Sequence, residues 1–272
     1  MLCRLHDASE IAGSGAPCVV AGSSELLRRL PQGNWIGGTS SFAFTPTGGV
    51  ELSDRLIVTA FPPGVRLSGI QRYGVGGLEY LADDCPAEGF SVVIIPHCSP
   101  VHSVFARDSA MGGPFEKHNI FGWMSGSLRG RHVGRPQVYF GPLAHCIEDE
   151  AVAMHFDVEP GWKISTRAQS IYKGGTGQPI LFPSEGFSAT HAIVDGHVIN
   201  FAQFIAANGI DITLPLVSSH GEREILTCIS SVDPGAGVVR FHAPVFRNVE
   251  YRFAAAVHDP VAETRRLISE EG

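Results

Sequence analysis

The chain has 272 residues, of which 44% are hydrophobic and 17% charged, and its formal net charge is −7. That composition suits one large or two modest globular domains. The acidic balance works against nucleic-acid binding, which needs a basic surface to displace phosphate counterions. It works equally against anionic membranes.

No apolar run approaches the roughly 18–20 residues that cross a bilayer. The opening MLCRLHDASEIAGSG lacks the apolar core of a secretory signal. Six cysteines (Cys3, Cys18, Cys85, Cys98, Cys146, Cys228) are scattered without a CxxC pair. They read as reduced thiols in a cytoplasmic protein, and not as a zinc ribbon or a redox motif. With 32 glycines and 18 prolines, many short elements and tight turns are expected.

In chain order, Pro17–Ala21 reads as a strand. A helix over about 24–30 comes next, capped by Ser23 or Ser24 and stopped by Pro31. Trp35–Thr39 is a strand with glycines inside it, the mark of a close backbone approach or a bulge. Asp54–Phe61 is a buried strand that ends at a proline pair. Between Gly64 and Glu88 a short helix is expected, with Leu78, Tyr80 and Leu81 as its apolar positions. Phe90–Pro96 is again a buried strand by length and β-branched content. Ser99 and Pro100 then suit N-cap and N1 of a helix reaching about Asp108. Strand followed by helix, repeated, implies a partly parallel sheet with crossover helices.

The middle is richer in strands. IFGWMSG, PQVYFG, EDEAVAMHFDVEP and GWKISTRAQSIY all read that way. Asp195-Gly196 between two apolar runs is a hairpin signal. Asn200 caps a helix that closes at Gly209. TLPLVSS, REILTCISSV, GVVRFHAPV and VEYRFAAAV are further strands, two of them joined by a turn at Asp233-Pro234-Gly235. Asp259 and Pro260 open a last helix. The fold class is therefore α/β with mixed sheets and crossover helices, taking on α+β character in the second half.

The order of these landmarks resembles the FIST sensory domain. IGGTSS then DRLIVTAF is similar to that family's first glycine-bearing strand end and the strand after it. IFGWMSGS, PQVYFG and AVAMHF resemble its second glycine-rich strand and the pair after that. IVDGHVI with its helix, and LPLV with the remaining C-terminal strands, complete the likeness over nearly the whole chain. The resemblance implies a FIST N-like α/β region over 1–187 and a FIST C-like α+β region over 188–272, packed as one compact unit. It implies a small-molecule ligand. With no signalling output recognised in the sequence, a stand-alone sensor or ligand carrier is expected.

Three readings compete for PHCSPVHSVFARD. An anionic ligand would sit at the helix N-terminus, with His97 or His102 as donor. An enzyme would use Cys98 as thiolate and His97 or His102 as base. Haem or metal ligation would use His97, His102 or Cys98, and without a CxxCH any haem would be non-covalent; the FIST resemblance also suggests haem. Against all three stands a plain capped helix. Asn34, Trp35 and Thr39 offer an amide, a ring and a hydroxyl for a pocket rim, or simply a tightly packed strand. Trp123 carries the same ambiguity. Arg107 is a partner for a ligand carboxylate or an ordinary surface arginine. LRGRHVGRP, with Arg129, Arg131, His132 and Arg135, reads as an exposed loop or an anion patch, and Glu148–Glu150 as a solvated turn. The expected partners are a small molecule and, with no direct signal in the sequence, a second copy of the chain.

Overall fold

The computed structural model describes residues 1–45, 48–110, 114–126, 135–164, 170–220 and 223–269. The chain divides into two compact units, Met1–Thr166 and Arg167–Gly272. Strand Ile180–Leu181, which the sequence reading assigned to the N-terminal region, pairs within the second unit's sheet.

The first unit has four layers. Its strands are β1 (Leu2–Cys3), β2 (Cys18–Gly22), β3 (Trp35–Thr39), β4 (Phe42–Thr45), β5 (Gly48–Glu51) and β6 (Leu56–Ala60). They continue with β7 (Val65–Tyr73), β8 (Gly89–Pro96), β9 (Ile120–Ser125), β10 (Val138–Phe140), β11 (His145–Ile147) and β12 (Ala151–Val158). One sheet has the order β1-β6-β2-β3-β10-β11 and a second β7-β12-β8-β9, with β4 and β5 as a separate hairpin. Between the two sheets lies a core of Val19, Ile36 and Val138 against Val92, Ile94, Met154 and Phe156. The outer face of the first sheet is covered by α1 (Leu5–Gly13) and α2 (Ser24–Leu27), which bury Ala8, Ala12, Leu26 and Leu27 against Val20 and Trp35. The outer face of the second is covered by α3 (Tyr80–Asp83) and α4 (Pro100–Ala110), where Leu81 and Val101 meet Val93, Ile95 and Ala153.

The period-2 pattern of β3 explains this layering. Trp35 and Gly37 face the helices, whereas Ile36 and Gly38 face the other sheet. A Cβ on Gly37 would press on Leu27 and on the Val20 carbonyl, and one on Gly38 would lie 2.5 Å from Ile94 Cγ2. The glycine pair therefore admits close packing from both sides at once. Among the described strands, the parallel pairs β2 with β3 and β8 with β9 enclose helices α2 and α4. This bears out the crossover expectation, and the α/β class with mixed sheets holds.

Three points depart from the sequence reading. Residues before α3 form a long strand, β7, paired with β12. Trp162–Ile164 of GWKISTRAQSIY form no strand, and residues 165–169 lie outside the described ones. The helix expected over 24–30 is a single turn, with the Ser23 hydroxyl accepting from the Leu26 amide as foreseen.

The second unit is mostly strand: β13 (Ile180–Leu181), β14 (Gly186–Ala189), β15 (His191–Val194), β16 (His197–Asn200), β17 (Leu216–His220), β18 (Arg223–Thr227), β19 (Ile229–Asp233), β20 (Val238–Val245) and β21 (Glu250–Phe253). Its sheets, β16-β15-β13-β21-β17-β18 and β14-β20-β19, are antiparallel throughout. Phe182 sits at the centre of the core, with Phe201, Phe241 and Tyr251 edge-on to it at 5.3–5.6 Å. The hairpin at Asp195-Gly196 forms with φ of 50° and 76°, the pair of left-handed residues that a type I′ turn requires. Asn200 then caps α5 (Phe201–Ala207), its Oδ1 accepting from the Gln203 amide at 2.9 Å. Asp259 caps α6 (Pro260–Ser269) in the same way through the Ala262 amide. Among the described residues no helix is long and apolar enough to cross a membrane.

Candidate functional site

The eight residues of β8 are all buried, and the chain leaves the sheet at Pro96. It then turns through a tight elbow. Ser99 Oγ donates to the Pro96 carbonyl at 2.7 Å and accepts from the His102 amide at 3.1 Å, which caps α4. Cys98, between them, takes a left-handed conformation with φ 59°. For a residue with a Cβ this costs about 1–2 kcal/mol. It is held in place by its own amide, which donates to His102 Nδ1 at 3.1 Å. The His97 amide donates to the Ser125 carbonyl of β9, so the elbow is also tied to the neighbouring strand.

The elbow forms one wall of an open cleft of about 520 Å³, within the range of small-molecule sites. The wall consists of His97, Cys98, Ser99 and Pro100. Facing it are Arg135 and Pro136, just before β10, and Glu148 and Asp149, between β11 and β12. Glu148 is fixed from behind by the buried Gln137 amide, whose Nε2 donates to Glu148 Oε1 at 2.8 Å. Gln137 Oε1 in turn accepts from Ser24 Oγ at 2.7 Å, Tyr139 Oη at 2.9 Å and Arg28 at 3.3 Å. Three donors on that oxygen settle the orientation of the amide, so its NH₂ must face Glu148. Burial pushes the Tyr139 phenol pKa up, and this hydroxyl stays protonated as a donor. Arg135 lies 3.7 Å from Glu148 Oε2, a loose and solvent-exposed pair.

Residues 3–272 match a family of unknown function, DUF6976. The chain belongs to it. No curated protein and no solved structure matches the chain. The chemistry of this DUF6976 member therefore has to be read from its own residues.

His97 and Cys98 line the cleft. His102 does not. It is 2% exposed, and its Nδ1 lone pair is taken by the Cys98 amide, so the neutral ring carries its proton on Nε2. The His97 and His102 rings are 5.2 Å apart and tilted by 44°. With Nδ1 accepting from the Cys98 amide, His102 helps to hold the elbow. Haem does not fit these residues. Ligation by His102 would need a buried ring to leave its partner, and Arg135, Glu148 and Asp149 line the cleft where a porphyrin face wants apolar contacts. Among the described residues no three His, Cys, Asp or Glu side chains are grouped to hold a metal.

The second set of sequence candidates lies elsewhere. Trp35 is fully buried in the core under the helices, and its Nε1 donates to the Pro31 carbonyl at 2.8 Å. Thr39 is buried and bonded to the Gln137 backbone. Asn34 is exposed and donates to the Gly15 carbonyl. Trp123 is half-buried against Gly38, and its Nε1 has no partner among the described residues. Arg107 is a surface side chain beside Asp108. None of these five lines the cleft. Sequence reasoning missed Glu148 and Asp149, read as a solvated turn, and Arg135, read as part of an exposed loop. The rest of that loop, with Arg129, Arg131 and His132, lies outside the described residues.

Proposed function

We propose that the first unit binds a small polar molecule in the cleft at the carboxyl end of β8, and that the protein is a sensor or ligand carrier of cytoplasmic type. The observation that carries this reading is the cleft itself. It is a hollow of ligand size at the strand-to-helix turn where open sheets gather ligands, with polar groups converging on it from three separate segments. The left-handed Cys98 adds support, because backbone held in a costly conformation clusters at ligand sites. The FIST-like order of landmarks points to the same class of function. All six cysteines are thiols and not disulfides, which suits a reducing compartment.

Catalysis by Cys98 is the weaker reading, because of the two imidazoles only His97 faces the cleft. The test combines stability with labelling. In a thermal-shift screen of a metabolite panel, at least one compound is expected to raise Tm, by an amount that grows with its concentration over Kd. The same compound is expected to slow iodoacetamide labelling of Cys98 while leaving Cys228, the other exposed thiol, unchanged. A compound that raises Tm without protecting Cys98 would place its site elsewhere, and a panel with no effect on either measure would count against binding.

A further inference from the structure

On the outer face of the second sheet, away from the cleft, a line of polar side chains crosses the core. Ser91 on β8 and His155 on β12 are opposite one another, with Ser91 Oγ 2.7 Å from His155 Nδ1. His155 Nε2 is 2.8 Å from the hydroxyl of Tyr73, the last residue of β7. That hydroxyl donates to Asp84 Oδ2 at 2.7 Å, just beyond α3.

The protons can be assigned. Tyr73 has one, and the Asp84 carboxylate only accepts, so the phenol proton points at Asp84. The Tyr73 oxygen therefore accepts from His155 Nε2–H, which leaves Nδ1 as the acceptor for Ser91. The chain runs one way, Ser91 to His155 to Tyr73 to Asp84, and it needs a neutral imidazole. Ser91 and His155 are 0% and 3% exposed, whereas Asp84 is at the surface. With no exposed surface, Ser91 cannot meet a substrate, so the likeness to a nucleophile and its base has no catalytic meaning.

We propose that this chain is an acid-sensitive latch: while His155 is neutral it ties the segment after α3, through Asp84, to three strands of the sheet, and protonation of His155 releases that segment. α3 is a single turn and has no stability of its own. It is held by Leu78, Leu81 and Ala82 in the core and by the polar chain at Asp84. A proton on Nδ1 forces the Ser91 hydroxyl to turn from donor to acceptor, and it places a charge in a site that is 3% exposed, one step along the strands from Ala153 and Val93. Among the described residues, Tyr73 from β7 touches the ring, Asp84 from the α3 segment acts on it through space, and Cys85 of the same segment hydrogen-bonds Ser91. β8 contributes only the uncharged Ser91, and on β7 the residue directly opposite is Gly69. Along β12 the next residue on the same face is Asp157, in register with Arg66.

Burial, the larger influence, lowers the His155 pKa below its ordinary value, while Asp84 pulls it the other way through the intervening phenol. The opened state therefore binds more protons than the closed one once pH falls below about 6.5, the ordinary histidine value. Opening is favoured by acid, with a limiting slope of about tenfold per pH unit for one proton.

Hydrogen exchange of residues 78–85, corrected for intrinsic rates, tests this between about pH 7.5 and about pH 5.5. In the full chain the opening equilibrium is expected to rise as pH falls, and in His155→Gln, which hydrogen-bonds but cannot charge, to stay flat. Equal pH dependence in both would overturn the latch. Should His155→Gln not fold, nitrogen NMR of the native protein decides. The latch requires a neutral Nε2–H imidazole for as long as the segment is closed, and an imidazolium in the closed state would refute it.

Discussion

Replacing Trp35 with alanine is expected to destabilise the first unit by about 3–5 kcal/mol, the usual range for deleting a large buried aromatic. Trp35 has no exposed surface and lies among Ala12, Cys18, Leu27, Leu30 and Tyr139. Its ring also abuts Gly141, where an added Cβ would meet the Trp35 backbone and ring. Trp35→Phe keeps most of the apolar contact but leaves the Pro31 carbonyl without its indole donor, so a smaller loss is expected, with the hydrogen bond contributing about 1 kcal/mol. Urea unfolding of the two variants separates these contributions. A near-neutral Trp35→Ala would return the residue to a pocket rim, the role that its place beside two glycines suggested in the sequence.

The second large effect is expected at Gly122, at the centre of β9. It is opposite Val93 in the parallel pair, with φ 159°, and an added Cβ would be driven onto the Val93 carbonyl oxygen. A backbone atom cannot turn away as a side chain can. Gly122→Ala should therefore exceed the roughly 1–3 kcal/mol of ordinary overpacking and displace β9 from β8. Gly126, four residues on, has nothing within 4 Å of its ideal Cβ. Gly126→Ala is the control and should stay within about 0.5 kcal/mol. Equal, small losses at both positions would mean that β9 does not pair in this register.

Most of the local structure could be read from the chain because it arises from local chemistry. The Ser99-Pro100 start of α4, the Asp195-Gly196 hairpin, the Asn200 cap and the Asp259-Pro260 start of α6 all depend on a few adjacent residues. β7 was hidden for a specific reason. Its register against β12 shifts between His155 and Phe156, which leaves Ser68 as an extra residue. The bulge breaks the two-residue alternation, so Val65, Leu67 and Ile70 reach one core at spacings of two and then three. The cleft was half legible. A strand end followed by a capped helix marks His97 and Cys98, but Glu148, Asp149 and Arg135 come from the turns flanking β10 and β11. Charged residues in a turn look solvated until the sheet order brings that turn against α4. The Ser91–His155–Tyr73–Asp84 chain left no sequence signal, because its members come from four elements and only strand register unites them.

A ligand site at the Cys98 elbow should be visible in crystals soaked with fragments. Bound fragments are expected between His97, Cys98 and the Glu148–Asp149 turn, making polar contacts to at least two of these segments. Fragments that settle only elsewhere, with this cleft empty across a library that binds the protein at other points, would contradict it.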